Sequence, residues 1–206
     1  MSEGPDGKGP QETVSAGQEG EQDPATAVTL AQNLTAALEA KAEGNTRFNV
    51  GAYDDALELY TQAIDLVEDD CDQRAVFYAN RAACYSKMGE HKLVVEDCTS
   101  ALELREDYAK ALHRRSSARE SLGEYQPALD DMKRVVELEP SNSLALAAIP
   151  RLESAAKAKL EEQKEEMLGK LKDLGNSVLG RFGMSLDNFK AVQDPSTGSY
   201  SISFNQ

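Results

Sequence analysis

The chain repeats itself. Gly51, Gly89 and Gly123 are separated by 38 (89 − 51) and 34 (123 − 89) residues, and units built from two antiparallel helices recur at about 34 residues. Ala63, Ala101 and Val135 each follow one of those glycines by 12 residues, so two independent series share the spacing. A chain with this period is driven towards a stack of helix pairs, because one pair cannot bury its apolar face alone and stacking makes the core continuous. The longer first interval is accounted for by the polar connection Glu68-Asp69-Asp70-Cys71-Asp72.

Helical periodicity begins near Ala36 and carries Leu38, Lys41, Ala42, Asn45 and Phe48 to Val50. Gly51 then serves as a C-terminal stop before a second helix over 54–67. The pair recurs over 74–88 with 91–104, and over 108–122 with 125–138, closing at Pro140. Three repeats are thus expected within residues 31–142, at about 37–70, 75–108 and 109–142. Gly44, Ala56, Ala63, Ala82, Ala101 and Ala128 let antiparallel helices approach, while Tyr53, Tyr60 and Tyr125 fill the gaps. The first helix of each pair lines a concave surface in such a stack.

Both ends differ from the middle. Residues 1–30 are rich in Gly, Pro, Glu and Gln and poor in large apolar side chains, which predicts a disordered acidic leader. Residues 143–182 are expected to form capping and C-terminal helices. Leu144, Leu146, Ile149 and Leu152 would cover the third pair, Pro150 would kink the segment, and the run Glu161–Glu166 would separate the cap from a second stripe over Met167–Phe182. Gly169, Gly175 and Gly180 each cost a helix about 1 kcal/mol, so that stripe is expected to lean on a partner surface. In the tail 183–206, Tyr200, Ile202 and Phe204 alternate with Ser and Asn after Asp194-Pro195-Ser196-Thr197-Gly198, a β-hairpin signal.

Basic residues number 22 and acidic residues 36, a net charge of −14. That balance argues against nucleic acid or anionic lipid as a partner, so any acidic ligand has to be gripped locally. No apolar run approaches the roughly 20 residues that span a bilayer, and the first residues carry no signal-peptide core; the cytoplasm is the expected location. Cys71, Cys84 and Cys98 have no metal-ligand spacing and suit a reducing compartment, the latter two as small core residues. No metal and no cofactor are expected. His91 and His113 lack a catalytic partner by spacing, and no H-E-x-x-H, P-loop or G-x-S-x-G motif is present, so no enzyme and no catalytic residue are expected.

The three units resemble tetratricopeptide repeats, and Lys41, Asn45, Asn80, Lys110 and Arg114 match the pattern of the two-carboxylate-clamp subclass at one register of the repeats. The resemblance implies an all-α, right-handed solenoid of three repeats with a C-terminal capping helix. It also implies binding of the Glu-Glu-Val-Asp tails of seventy- and ninety-kilodalton heat-shock chaperones, hence a co-chaperone adaptor working alongside unfolded-protein binding. The chemistry suits those residues, since a peptide ending in Asp presents two carboxylates and needs several fixed donors. Lys41 with Asn45, and Lys110 with Arg114, are four apart and share a helix face, while Asn80 adds amide donors between them. The alternative is a signalling scaffold, with signalling proteins held mainly by the amphipathic C-terminal helix.

Overall fold

The computed structural model describes residues 24–193 and 199–204. Its helices are α1 (Pro24–Asn49), α2 (Tyr53–Asp65), α3 (Asp72–Met88), α4 (His91–Leu104), α5 (Ala109–Ser121), α6 (Tyr125–Leu138) and α7 (Ser143–Gly180). A 3-10 turn, Leu186–Asn188, leads into strands β1 (Phe189–Gln193) and β2 (Tyr200–Phe204). Each helix packs on its sequence neighbours and α3 also touches α5, the arrangement of a helix-pair solenoid. No helix among the described residues is long and apolar enough to cross a membrane.

One device makes all three turns. Gly51, Gly89 and Gly123 adopt φ of 83°, 81° and 76°, the left-handed region that only glycine enters without strain. In each case the next residue's N–H reaches back to the carbonyl four residues before the glycine: Ala52 to Arg47 at 3.0 Å, Glu90 to Tyr85 at 2.9 Å and Glu124 to Arg119 at 2.8 Å. These bonds satisfy carbonyls that the ending helix leaves orphaned and set the angle of the returning helix.

Within the pairs, small side chains permit close approach. A Cβ on Gly44 would lie 2.8 Å from the Tyr60 ring, and Ala56, Ala63, Ala82, Ala101 and Ala128 are fully buried, as are Cys84 and Cys98. A polar lock then recurs between pairs. Arg81 on α3 grips Asp97 of α4 through Nε at 2.9 Å and Nη2 at 2.7 Å, and reaches back to Thr61 of α2 at 3.1 Å. Arg115 on α5 does the same to Asp131 of α6, at 3.0 and 2.7 Å, and to Thr99 of α4 at 3.2 Å.

The ends depart from expectation. Helix α1 starts at Pro24, inside the stretch assigned by composition to the leader, and residues 1–23 lie outside the described residues. Leu30 and Leu34 there face Leu66, Val67 and Cys71 at the end of the first pair. The cap and the C-terminal helix are one unbroken helix rather than two, α7, running through Pro150, the charged run and two of the three glycines to Gly180. Asn142 caps it by accepting from the Ala145 N–H at 3.0 Å. The end of the third pair is covered by Ala145, Ala148 and Leu152, whereas Leu144 and Leu146 point outward.

The strands pair antiparallel with Ala191 opposite Ile202. The hairpin is tethered to α7 rather than laid on it: Asn176 Oδ1 accepts from the Leu186 N–H at 2.6 Å and the Ser185 hydroxyl at 3.1 Å, and Lys172 pairs with Asp187 at 2.7 Å. Tyr200 and Ile202 stay exposed, and the connecting turn lies outside the described residues.

Candidate functional site

Lys41 and Asn45 lie on α1, Asn80 on α3, and Lys110 and Arg114 on α5, the first helix of each pair. Three of the five are joined by hydrogen bonds across those helices. Asn45 Oδ1 accepts from Tyr60 Oη at 2.8 Å and, at a long 3.5 Å, from Asn80 Nδ2. Arg114 Nη1 donates to the carbonyl of Ala79, the residue before Asn80, at 2.9 Å. Lys41 and Lys110 stand one helical turn before Asn45 and Arg114, on the same faces.

The five do not share one register. Asn80 and Arg114 are repeat equivalents, each nine residues before its turn glycine, while Asn45 is six residues before Gly51. The bonds nonetheless bring Asn45 beside Asn80, so the positions that come together drift along the helices from the first pair to the second.

Tyr60 was legible only as a gap-filling aromatic, yet it orients Asn45. Burial pushes its hydroxyl up to about 12, with Cys84 adding to the rise and Arg114 opposing it, so the group remains a donor. With its oxygen committed, the Asn45 amide turns its hydrogens elsewhere. The locks described above were also missed. Arg81 precedes Arg115, and Asp97 precedes Asp131, by one 34-residue period, a signal as regular as the glycines. Each lock arginine directly follows a candidate residue, Asn80 or Arg114, and so fixes the rotation of α3 or α5 that aims it.

Arg114 differs from the other arginines of the repeats in its charge pairing. Arg47, Arg74, Arg81, Arg105, Arg115, Arg119 and Arg134 all have carboxylate partners. Among the described residues, Lys41, Lys110 and Arg114 form no ion pair. A cleft of about 390 Å³ continues from them, lined by Lys110, His113, Arg114, Glu139, Asn142 and Leu144. A larger cleft, about 570 Å³ between the start of α6 and the middle of α7, contains none of the five. Cations without ion pairs beside an oriented amide are the chemistry that an anion would need, since a charge-assisted hydrogen bond contributes about 1.5 to 3 kcal/mol.

Residues 109–142 match the family model of the tetratricopeptide repeat. The first repeat domain of Spaghetti (RPAP3), solved bound to the HSP90 peptide SRMEEVD, superposes with a TM-score of 0.56 at 32% identity, over 60% of this chain and 95% of that one. The chain belongs to the tetratricopeptide-repeat proteins. The Caenorhabditis elegans myosin chaperone UNC-45, solved with a Hsp90 peptide, matches with a TM-score of 0.59 at 34% identity, over 69% of this tetratricopeptide-repeat chain and 16% of its own. In sequence, the mitochondrial import receptor subunit TOM70 of Saccharomyces cerevisiae is 47% identical over 96 residues, which is 47% of this chain and 15% of the receptor. The zebrafish (Danio rerio) sperm-associated antigen 1A is 42% identical over 116 residues, 54% of this chain and 27% of that protein. The chain therefore spans about a quarter or less of the length of these two curated relatives.

Proposed function

We propose that the α1–α3–α5 face binds the acidic C-terminal tails of seventy- and ninety-kilodalton heat-shock chaperones, and that the protein works in the cytoplasm as a co-chaperone adaptor. The carrying observation is that Arg114, unlike the other arginines of the repeats, has no carboxylate partner among the described residues, and neither do Lys41 and Lys110 on the same face, in a chain of net charge −14. A peptide ending in Asp brings the side-chain and terminal carboxylates that these groups lack. Asn45 and Asn80, held by Tyr60 and by each other, supply amide hydrogens between the cations. The run Glu165–Asn176 and the stretch Thr197–Ile202 further look like those of tetratricopeptide repeat protein 1, a resemblance that supports the adaptor reading.

Calorimetric titration with SRMEEVD tests the reading. The free acid is expected to bind with micromolar affinity, about −8 kcal/mol, and the C-terminally amidated peptide far more weakly. Lys110→Ala, which removes an exposed side chain, should weaken binding roughly tenfold to a hundredfold with no change in melting temperature. Arg114→Ala should weaken it similarly and also lower stability by about 1 kcal/mol, because its bond to the Ala79 carbonyl is lost. Equal affinity for the free and amidated peptides would remove the clamp from the account.

A further inference from the structure

We propose that the distal half of α7 pairs antiparallel with the same segment of a second copy of this chain. Leu160, Met167, Leu171, Leu174 and Val178 lie on one side of the helix, the last four at steps of 4, 3 and 4 residues, the alternation of a two-helix seam. Each is at least half exposed. A row of five large side chains this bare is a surface that water penalises until something covers it.

The chain's own segments do not supply the cover. The tail docks around Lys172, Gly175 and Asn176, where Leu186 lies against Gly175, and leaves Leu171, Leu174 and Val178 open. Residues 1–23 contain only Met1 and Val14 as large apolar side chains, too few to fill five positions.

Charge selects the occupant and its direction. Glu161, Glu162, Glu165 and Glu166, with Lys164 as the one base among them, precede the centre of the stripe, while Lys170, Lys172 and Arg181 follow it with Asp173 as the one acid between them. The two halves keep opposite net charge although Lys164 pairs with Glu161 and Lys170 with Glu166 along the helix. A parallel neighbour would set acid against acid. An antiparallel copy sets the acidic half of each helix against the basic half of the other, and a two-fold axis does this twice with one patch. Seating Met167 against Leu171 of the second copy also brings Leu160 against Val178, and sets Glu166 beside Lys172, whose present partners are Lys170 and Asp187 respectively, and Glu165 beside Asp173.

Sedimentation equilibrium of the full chain across the micromolar range is expected to show twice the 22.4 kDa chain mass. Leu171→Glu with Leu174→Glu should return the single mass while leaving the SRMEEVD titration unchanged. Because those changes could unwind the distal helix, a second pair of variants keeps the seam intact. Glu165→Lys with Glu166→Lys, and separately Lys170→Glu with Lys172→Glu, should each weaken self-association by about tenfold or more, and mixing the two proteins should restore it. A single-chain mass for the unaltered protein, or a dimer that survives Leu171→Glu with Leu174→Glu, overturns the proposal; the first result would assign the stripe to a different protein.

Discussion

Asp131→Asn tests whether the recurring locks, rather than apolar packing alone, hold the third pair in place. The substitution removes one charge and almost no volume. In the native chain the Asp131 carboxylate accepts from Arg115 Nε and Nη2 and from Arg119 Nη1 at 2.8 Å, and its side chain is only 5% exposed. Arg115 and Arg119 have side chains 16% and 19% exposed, so neither recovers full hydration when its partner is gone. Breaking a buried pair by removing one member costs about 3 to 5 kcal/mol. The lower end applies here, because the asparagine carbonyl still accepts one bond and both guanidinium groups touch solvent. For a domain of this size about 3 kcal/mol is a fall in melting temperature of roughly 6 to 12 °C. Glu137→Gln supplies the contrast: its pair with Arg134 is exposed on both sides, and such pairs contribute about 0 to 1 kcal/mol. Urea melts of the three proteins measure the difference. A loss for Asp131→Asn no larger than that for Glu137→Gln would refute the reasoning and leave the lock as a bystander of packing.

Two further outcomes follow from the same interior. Truncation after Pro140 uncovers the third pair by removing Ala145, Ala148 and Leu152, and should cost several kcal/mol at about 1.5 to 3 for Leu152 alone, whereas truncation after Glu166 should cost far less; equal melting temperatures would place the cap elsewhere. Burial pushes the Cys84 thiol up to about 11 and the Cys98 thiol up to about 12, from an ordinary 9.0. Raised folded values mean that the unfolded chain loses these protons first, so stability is complete below pH 9 and falls as pH rises towards 11 and 12, by about 1.4 kcal/mol per unit for each thiol fully in that window. Urea melts at pH 8 and 10 check this, and Cys84→Ala with Cys98→Ala should flatten the alkaline fall.

The glycine series made the solenoid legible because a left-handed turn residue admits few substitutes. Helices α4 and α6 fall on the residues that periodicity assigns to them. The start of α1 was hidden because the helix is weakly amphipathic, and Leu30 and Leu34 gain their value from lining one cleft with Leu66 and Val67, a tertiary fact. The candidate clamp was legible in residue type and less so in geometry. Nothing in spacing alone links Asn45 to Tyr60, fifteen residues on, or gives Arg114 the carbonyl of Ala79. The locks were readable in principle, but charged residues on helices are mostly solvated, and two arginines a period apart stand out only once their carboxylates are seen to be buried.

The period also continues beyond the three pairs. Phe77, Ala111 and Ala145 stand 34 residues apart, as do Cys84, Ala118 and Leu152, and all six are buried. The first half of α7 is therefore the first helix of a fourth pair, which is why it fits the end of the third so well. Its second helix is missing for a local reason. The position that follows Gly89 and Gly123 by the same step is Lys157, which has no access to the left-handed turn without strain, so the helix runs straight on. The consequence is measurable within the structure: Leu112, which has α6 to cover it, is 4% exposed, while its equivalent Leu146 is 47% exposed. The lysine at that turn position thus lets the helix run on and projects Leu160 to Val178 past the last repeat, where they stay exposed among the described residues and the proposed second copy would cover them.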